Sequence, residues 1–468
     1  MLESSALHPD YGRYSILACN PLEVLSLRDG TLEQSGGAIV ANSDAGIWAA
    51  LADAFAAVSL QELAGACPPY VPGWIGFVGY EVGRHVERLP ARARREGHLP
   101  DARLAFYDAV LVYDAVEQSW TLVELDFDNP PAGAGLAAGL LSDMLHSARH
   151  EEASRPAPVE HADARTIPLA PATSNFTPDD YRRAVARAVE YIAAGDIFQV
   201  NLSQRFTVAN APRPLDIYRV LRKRNPSWYA AFLSFNGRGV GGEVSRASCP
   251  HTPEAGMQCA ILSSSPELFL RIRGRHIVTR PIKGTRRRSG DMEKDEAAKR
   301  ELLASPKDNA ELAMIIDLLR NDIGRVCRYG TVRVTQARRL ETHATVFHLV
   351  GTVEGELRDD AGPAAVLRAT FPGGSITGAP KIRAMEIIDE LEGLARGVYT
   401  GCIGIVGVDG SCEWNIAIRT VVCDNGQATV QVGGGIVADS TPDGEYVETL
   451  DKARALLEAI EQAGQSGR

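Results

Sequence analysis

The run Gly401-Cys-Ile-Gly-Ile-Val-Gly-Val408, the turn Asp409-Gly410-Ser411, the run Asn415-Ile-Ala-Ile-Arg-Thr-Val-Val422, the turn Asp424-Asn-Gly-Gln427 and the run Ala428-Thr-Val-Gln-Val432 decide the fold class. Each apolar run is short and rich in Val and Ile, as a buried strand requires, and too short for a buried helix. Asp-Gly and Asn-Gly turns supply the positive backbone angles of tight hairpins, so successive strands run antiparallel. Ala260-Ile-Leu-Ser and Phe269-Leu-Arg-Ile read the same way. A chain whose strands pair as hairpins and whose helices lie elsewhere is α+β rather than doubly wound.

The helices carry their own signals. Thr177-Pro178-Asp179-Asp180 places a capping hydroxyl, a Pro at the first helical position and carboxylates in the first turn, and Val185, Ala188, Val189 and Ile192 give one apolar face. Further periodic stretches predict helices from about Lys307 to Leu319, from Pro380 through Leu391 and from about Tyr446 to Gln462. Towards the N-terminus, Gly46 to Phe55 reads as a helix, and the runs Leu104 to Asp114 and Ser119 to Asp126 read as paired strands. The Ala/Pro-rich, aperiodic stretch 146–172 predicts a linker between an N-terminal region, 1–145, and a catalytic region, 173–462. The Gly/Ser/Pro-rich stretch 237–257 reads as a surface insertion in a hairpin.

At 468 residues, with 45% apolar and 23% charged residues, the chain has the composition of a globular protein able to build a large core. A net charge of -10 without a long basic run argues against nucleic acid, whose binding needs clustered cations. No basic leader precedes an apolar run and no stretch approaches a membrane span, so no membrane is expected and the location is expected to be cytoplasmic. The eight cysteines form no Cys-x-x-Cys pair and read as reduced thiols. His343 and His348 are five apart and do not have metal-ligand spacing, which leaves oxygen ligands as the metal chemistry to consider.

Four places could carry chemistry. Lys283 lies in Thr279-Arg-Pro-Ile-Lys-Gly-Thr-Arg286, with Arg280, Arg286, Arg287 and Arg288 nearby; crowded cations would lower the pKa of its amine and make it a nucleophile, although such a run is equally a solvated basic loop. Phe371-Pro-Gly-Gly-Ser-Ile-Thr-Gly-Ala-Pro-Lys381 has the glycine spacing of a phosphate loop but lacks its Gly-Lys-Ser/Thr ending, so what survives is backbone N–H groups ahead of a helix that could receive a carboxylate. Gly433-Gly434-Gly435 permits a close backbone approach or is simply a turn. Glu267, Glu311, Glu445 and Glu448 are candidates for magnesium or acid work; each also has an ordinary surface reading, Glu448 as the ion-pair partner of Lys452.

Together, Gly195-Asp-Ile-Phe-Gln-Val-Asn-Leu-Ser-Gln-Arg-Phe206, Ser265-Pro-Glu267, Pro281-Ile-Lys-Gly-Thr-Arg286, Asp317 to Arg325, Phe371 to Glu390, Ile416-Ala-Ile-Arg-Thr420 and Gly433 to Lys452 resemble the chorismate-utilising enzymes, the family of aminodeoxychorismate synthase component I and anthranilate synthase component I. A weaker likeness covers Gly12 to Leu17 and Gly73 to Gly83. The resemblance implies two-layer antiparallel sheets flanked by helices around a deep cleft. Gln199 stands where water-adding members carry a lysine base, and an amide cannot deprotonate water. Lys283 and Asn201 match the aminodeoxychorismate branch, whereas Arg287 replaces a proline usual there.

Carried over residue by residue, the resemblance implies that Glu311 and Glu448, with Glu445 beside them, hold Mg2+ on a ring carboxylate of chorismate. Lys283 would add at ring carbon C2 while Glu267 protonates the departing 4-hydroxyl. Ammonia would then attack C4 and expel the lysine, giving 4-amino-4-deoxychorismate for 4-aminobenzoate and folate synthesis. Arg419, Thr377, Gly433, Gly434 and Gly435 would contact the substrate's carboxylates, with Lys452, His348 and Gln199 in support. An unperturbed lysine is neutral in only about one molecule in 2,500 at pH 7, so its pKa must fall for this role. No cysteine sits in a glutaminase elbow, so ammonia would come from a separate glutamine amidotransferase subunit, and pyruvate removal would need a downstream aminodeoxychorismate lyase. Two positions depart from the pattern: Trp228 replaces a proline that lines a tryptophan pocket in relatives, and Ile405 replaces a tyrosine that faces substrate.

Overall fold

The computed structural model describes residues 1–8, 11–61, 68–153, 171–236, 258–343 and 345–466. Among them, the strands form two sheets of 11 and 12 strands. Every strand pairing in both sheets is antiparallel, as the Asp-Gly and Asn-Gly turns require. The first turn joins Cys402–Gly407 to Cys412–Ile416 and the second joins Thr420–Asp424 to Gln427–Ile436.

The sheets lie face to face. Ile16, Val110 and Val112 of the first meet Ile75 and Ile405 of the second, and farther along Ala231 and Ile261 meet Phe77 and Ile403. Helices cover the outer faces. Ile217 and Leu221 of Pro214–Arg224, with Leu456 and Ile460 of Pro442–Ser466, bury Phe206, Leu262 and Val430 of the first sheet. Leu312 and Ile316 of Pro306–Gly324 pack in the main core with Leu349 and Val353 of the second. A sheet covered on both faces explains why Cys402–Gly407 is buried along its whole length instead of alternating.

Ile405 lies between the sheets, in register with Ile75 and Glu413, and is 2% exposed. It therefore faces the core.

Two apolar runs that read as single strands each change sheet. Leu104 to Asp114 breaks at Asp108: Ala102–Tyr107 joins the second sheet and Ala109–Asp114 the first, where it pairs with Ser119–Glu124. Asn415 to Val422 breaks likewise, with Cys412–Ile416 in the second sheet and Thr420–Asp424 in the first. Arg419 makes the passage with φ 49°, an angle uncommon outside glycine.

The helix signals hold with wider limits. Thr177 caps Pro178–Ala193 by accepting a hydrogen bond from Asp180 N. The predicted 307–319 helix runs Pro306–Gly324, capped by Ser305, and the predicted 446–462 helix runs Pro442–Ser466. The stretch read as a linker at 146–172 begins as helix, since Leu136–Ala153 continues into it. The residues on either side share both sheets: Leu2–Glu3 pairs with Tyr229–Asn236, and Gly73–Val78 with Cys402–Gly407. The insertion read at 237–257 lies outside the described residues.

Candidate active site

Lys283 sits on the strand Ile282–Arg287, which pairs with Val346–Glu356 through a bulge at Gly284. Gly284 has φ 71°, and a Cβ there would come within 2.8 Å of Leu302 Cδ1 and 3.0 Å of Asp308 Cγ, so both conformation and space demand glycine. The bulge places Lys283 opposite Leu349 and Thr285 opposite His348. Lys283 Nζ donates to the carbonyl of Ser375, 3.0 Å away.

The amine's pKa is lowered, as the expected nucleophile requires, but by a different cause. Burial lowers it; Glu311, Glu267 and Glu448 oppose the shift, and Lys452 adds to it. The neighbouring arginines are occupied elsewhere. Arg280 pairs in the interior with Glu341, Arg286 pairs with Glu301 at 2.8 Å and Asp308 at 3.1 Å, and Arg287 is exposed.

Glu267 precedes the strand Leu268–Arg273 and is 5% exposed. Ser375 Oγ donates to its Oε1 at 2.6 Å, so one serine holds Glu267 through its hydroxyl and Lys283 through its carbonyl. Burial pushes the Glu267 carboxyl up to about 7, against the pull of Ser375, Lys283 and Arg419. A carboxyl poised there can hold and release a proton near neutrality. Ser375 was missed by sequence reasoning; its signal was the hydroxyl inside a loop set aside as a failed phosphate loop.

Arg419 projects from the passage between the sheets, its carbonyl held by Ser264 N at 3.0 Å. Burial pulls its guanidinium down to about 10, opposed by Glu267. Its Nη2 lies 3.4 Å from His348 Nε2, and His348 Nδ1 lies 2.9 Å from Thr285 Oγ1. A guanidinium only donates, so His348 Nε2 accepts and Nδ1–H donates to Thr285. Burial, with Arg419 and His343, drives the His348 pKa well below the ordinary range, so the imidazole is neutral. His343 and His348, which any helix would separate, are brought together by the β-structure with ring centroids 4.9 Å apart.

The glycine run lies on Gln427–Ile436, paired with Gln199–Ala209 so that Asn201, Leu202 and Ser203 face Gly435, Gly434 and Gly433. Each glycine leaves room for a named neighbour. A Cβ on Gly435 would strike Gln199 Nε2, and one on Gly434 would lie 2.9 Å from Glu445 Oε2 and 3.5 Å from Glu448 Oε1. Gly433 accepts from Lys452 Nζ at 2.9 Å. Gln199 is buried, with Oε1 lacking a hydrogen-bond partner. Thr377 is fully buried, and its Oγ1 donates to the carbonyls of Gly373 and Gly374 within its own loop.

Glu311 lies on Pro306–Gly324, and Glu445 and Glu448 on Pro442–Ser466. Burial raises the Glu311 pKa, with Asp308 and Glu448 adding to the effect and Lys283 and Lys307 opposing it. Burial likewise raises that of Glu445, whose Oε2 is buried without a partner. Glu448 is net lowered: burial pushes it up, but Lys452, 2.7 Å away, with Lys307 and Lys283, outweighs it. Hard carboxylate oxygens, with Glu445 Oε2 buried and unpartnered among them, fit a cation such as magnesium in kind. Among the described residues, no three His, Cys, Asp or Glu side chains converge into a ready-made ligand set; Lys307 lies 3.9 Å from Glu311 and Lys452 2.7 Å from Glu448. Asp308, beneath Gly284 and coupled to Glu311, is a further carboxylate that the sequence reading passed over.

The profile of the chorismate binding enzymes matches residues 13–458. The chain belongs to the chorismate-binding enzyme family. Within that family it is 39% identical to anthranilate synthase component 1 of Acetivibrio thermocellus, over 99% of this chain and 90% of that protein. It is 36% identical to aminodeoxychorismate synthase component 1 of Bacillus subtilis, over 96% of this chain and 90% of that protein. The crystal structure of anthranilate synthase component I from Streptococcus pneumoniae superimposes with a TM-score of 0.78 at 31% identity, covering 96% of this chain and 93% of that one. The family's two-sheet α+β architecture is thus shared along nearly the full length. No helix among the described residues is long and apolar enough to cross a membrane.

Proposed function

We propose that this chorismate-binding enzyme aminates chorismate at C4 with ammonia to give 4-amino-4-deoxychorismate, using Lys283 as a covalent nucleophile. The observation that carries this reading is an amine with a lowered pKa held by the same serine as a carboxyl poised near 7. In the first step the Lys283 nitrogen bonds to C2, both conjugated ring double bonds shift, and the C4–O bond breaks as Glu267 gives its proton to the leaving hydroxyl. In the second step ammonia bonds to C4, both ring double bonds return, the C2–N bond to Lys283 breaks and the ammonium formed at C4 gives a proton back to Glu267, which restores the enzyme. Arg419 and the Gly433 to Gly435 backbone would receive the substrate's carboxylates. Mg2+, held by Glu311 and Glu448 with Glu445 adjacent, would supply charge neutralisation and electron withdrawal at a ring carboxylate. Ammonia would be delivered by a separate glutamine amidotransferase subunit, and a downstream aminodeoxychorismate lyase would release 4-aminobenzoate.

A second reading is amination at C2 with pyruvate loss, yielding anthranilate. It is favoured by the 39% identity to a protein named anthranilate synthase component 1 and by Arg287 in place of the proline expected beside an active lysine. Incubation with chorismate, Mg2+ and ammonium separates the two. Product with the mass of aminodeoxychorismate, converted to 4-aminobenzoate by added lyase, supports the first; direct release of fluorescent anthranilate without lyase replaces it with the second.

A further inference from the structure

Against His348 lies a closed circuit of side chains that the proposed chemistry does not use. His343 meets the His348 ring at 70° and 4.9 Å, and on its other side meets the Trp228 indole at 4.4 Å. Trp228 carries His8 at 4.6 Å and Tyr11 at 5.6 Å. The face of Tyr11 receives the Arg280 guanidinium 3.7 Å from the ring centre, a cation–π contact made away from water. Arg280 pairs with Glu341, whose other oxygen lies 3.8 Å from His343 Nε2. The circuit thereby joins the N-terminal segment, the residue before Tyr229–Asn236, the approach to Val346–Glu356 and the strand that ends three residues before Lys283.

His343 is the member that touches His348. It is 8% exposed, and its Nε2 makes no hydrogen bond. What it does make is contact with two rings at once. Its backbone is pinned as well, the N–H donating to Val346 O at 2.9 Å and the carbonyl accepting from Arg288 Nη1 at 2.7 Å.

We propose that His343 is a positioning residue for His348, a wedge between Trp228 and the His348 imidazole that fixes the ring plane in which Nε2 faces Arg419. It acts by shape and touches neither substrate nor reacting atoms. Without it, His348 could turn about its side-chain bonds into the vacated space, and the Thr285 and Arg419 contacts that set its tautomer would be lost. This rests on the assignment of the site to chorismate but not on which carbon is aminated.

The test measures chorismate consumption by the full chain with Mg2+ and saturating ammonium, together with thermal unfolding. His343→Ala should lower kcat about tenfold or more while KM for chorismate stays within about threefold, because misplacement of a supporting group costs rate more than binding. His343→Phe, which refills the wedge without a nitrogen, should return kcat to within about threefold of the natural chain. Unchanged kcat in His343→Ala, a loss confined to KM, or a His343→Phe chain as slow as His343→Ala would each overturn the proposal. If His343→Ala does not fold, His343→Phe decides alone, retained kcat supporting the wedge and lost kcat ending it. A natural chain that consumes no chorismate would instead remove the function on which the proposal rests.

Discussion

In the proposed chemistry Glu267 is a proton donor in a site whose other demand is an unprotonated amine. Burial serves both, since it penalises whichever form is charged, raising the carboxyl and lowering the amine. The proton on Glu267 should therefore be lost as the pH rises through about 7, and the rate of chorismate consumption should fall with that limb. Stability follows the same group. Its pKa is about 7 when folded against an ordinary 4.5, so its stabilising contribution is complete below pH 4.5 and is lost as the pH rises through about 7. Glu267→Gln should cancel this dependence and gain up to about 3 kcal/mol relative to the natural chain between pH 5 and 8. Urea midpoints at the two values check it, and an equal shift at both would show that the carboxyl is not strained. Lys283→Ala should abolish aminodeoxychorismate formation, leaving either no turnover or anthranilate, as read by mass spectrometry of the products; unaltered aminodeoxychorismate would remove the lysine from the mechanism. The sequence displayed Lys283 and Glu267 but assigned the wrong cause to the lysine's shift, because strand pairing sends Arg280 and Arg286 to carboxylates that proximity in sequence does not reveal.

At the scale of elements, the loop 373–379 is held from below by a buried ion pair. Arg396 pairs with Glu392 at 2.6 Å and donates to the carbonyls of Ile376 at 3.0 Å and Asn201 at 2.7 Å, with its guanidinium over the ring of Tyr80. Arg396→Met would leave the Glu392 charge without its cation in the interior, with only the hydrogen bonds from Ser203, and should cost about 3–5 kcal/mol by urea unfolding. A loss below about 1 kcal/mol would mean that Glu392 finds another partner. Gly284→Ala should cost about 1–3 kcal/mol from its left-handed backbone and its approach to Leu302. Helix starts were legible where a hydroxyl stood before Pro. The same signal at Ser305-Pro306 and Thr441-Pro442 accounts for the two helices that begin earlier than periodicity alone places them. The changes of sheet at Asp108 and Arg419 were not legible. Both runs are apolar on either side of the charged residue at the passage because both sheets bury their strands, and neither has a Gly or Pro to announce the turn.

For the molecule as a whole, the shared sheets make the N-terminal third part of the frame. A chain cut to 171–468 would lose the partners of Tyr229–Asn236 and Cys402–Gly407 and expose long apolar strand edges. It should fail to give a cooperative thermal transition and should aggregate; a folded, monomeric fragment would show that the 1–145 region is dispensable to the core. The α+β class was readable from the turns, and the family with its two-layer antiparallel sheets from the motifs, whereas the order of strands within each sheet was not, since pairing across hundreds of residues leaves no local mark. The passage at Arg419 also governs where the chain can change length. Side chains alternate along a strand, so deleting one residue between Ile416 and Thr420 would force either Cys412–Ile416 or Thr420–Asp424 to slip, turning one layer's interior residues outward while the other stays in place. Lengthening Asp409-Gly410-Ser411 disturbs no such phase. Natural variation in chain length should thus collect at the tight turns and be barred from the three residues that carry the arginine, a pattern visible in any set of viable insertions and deletions made at random along this chain.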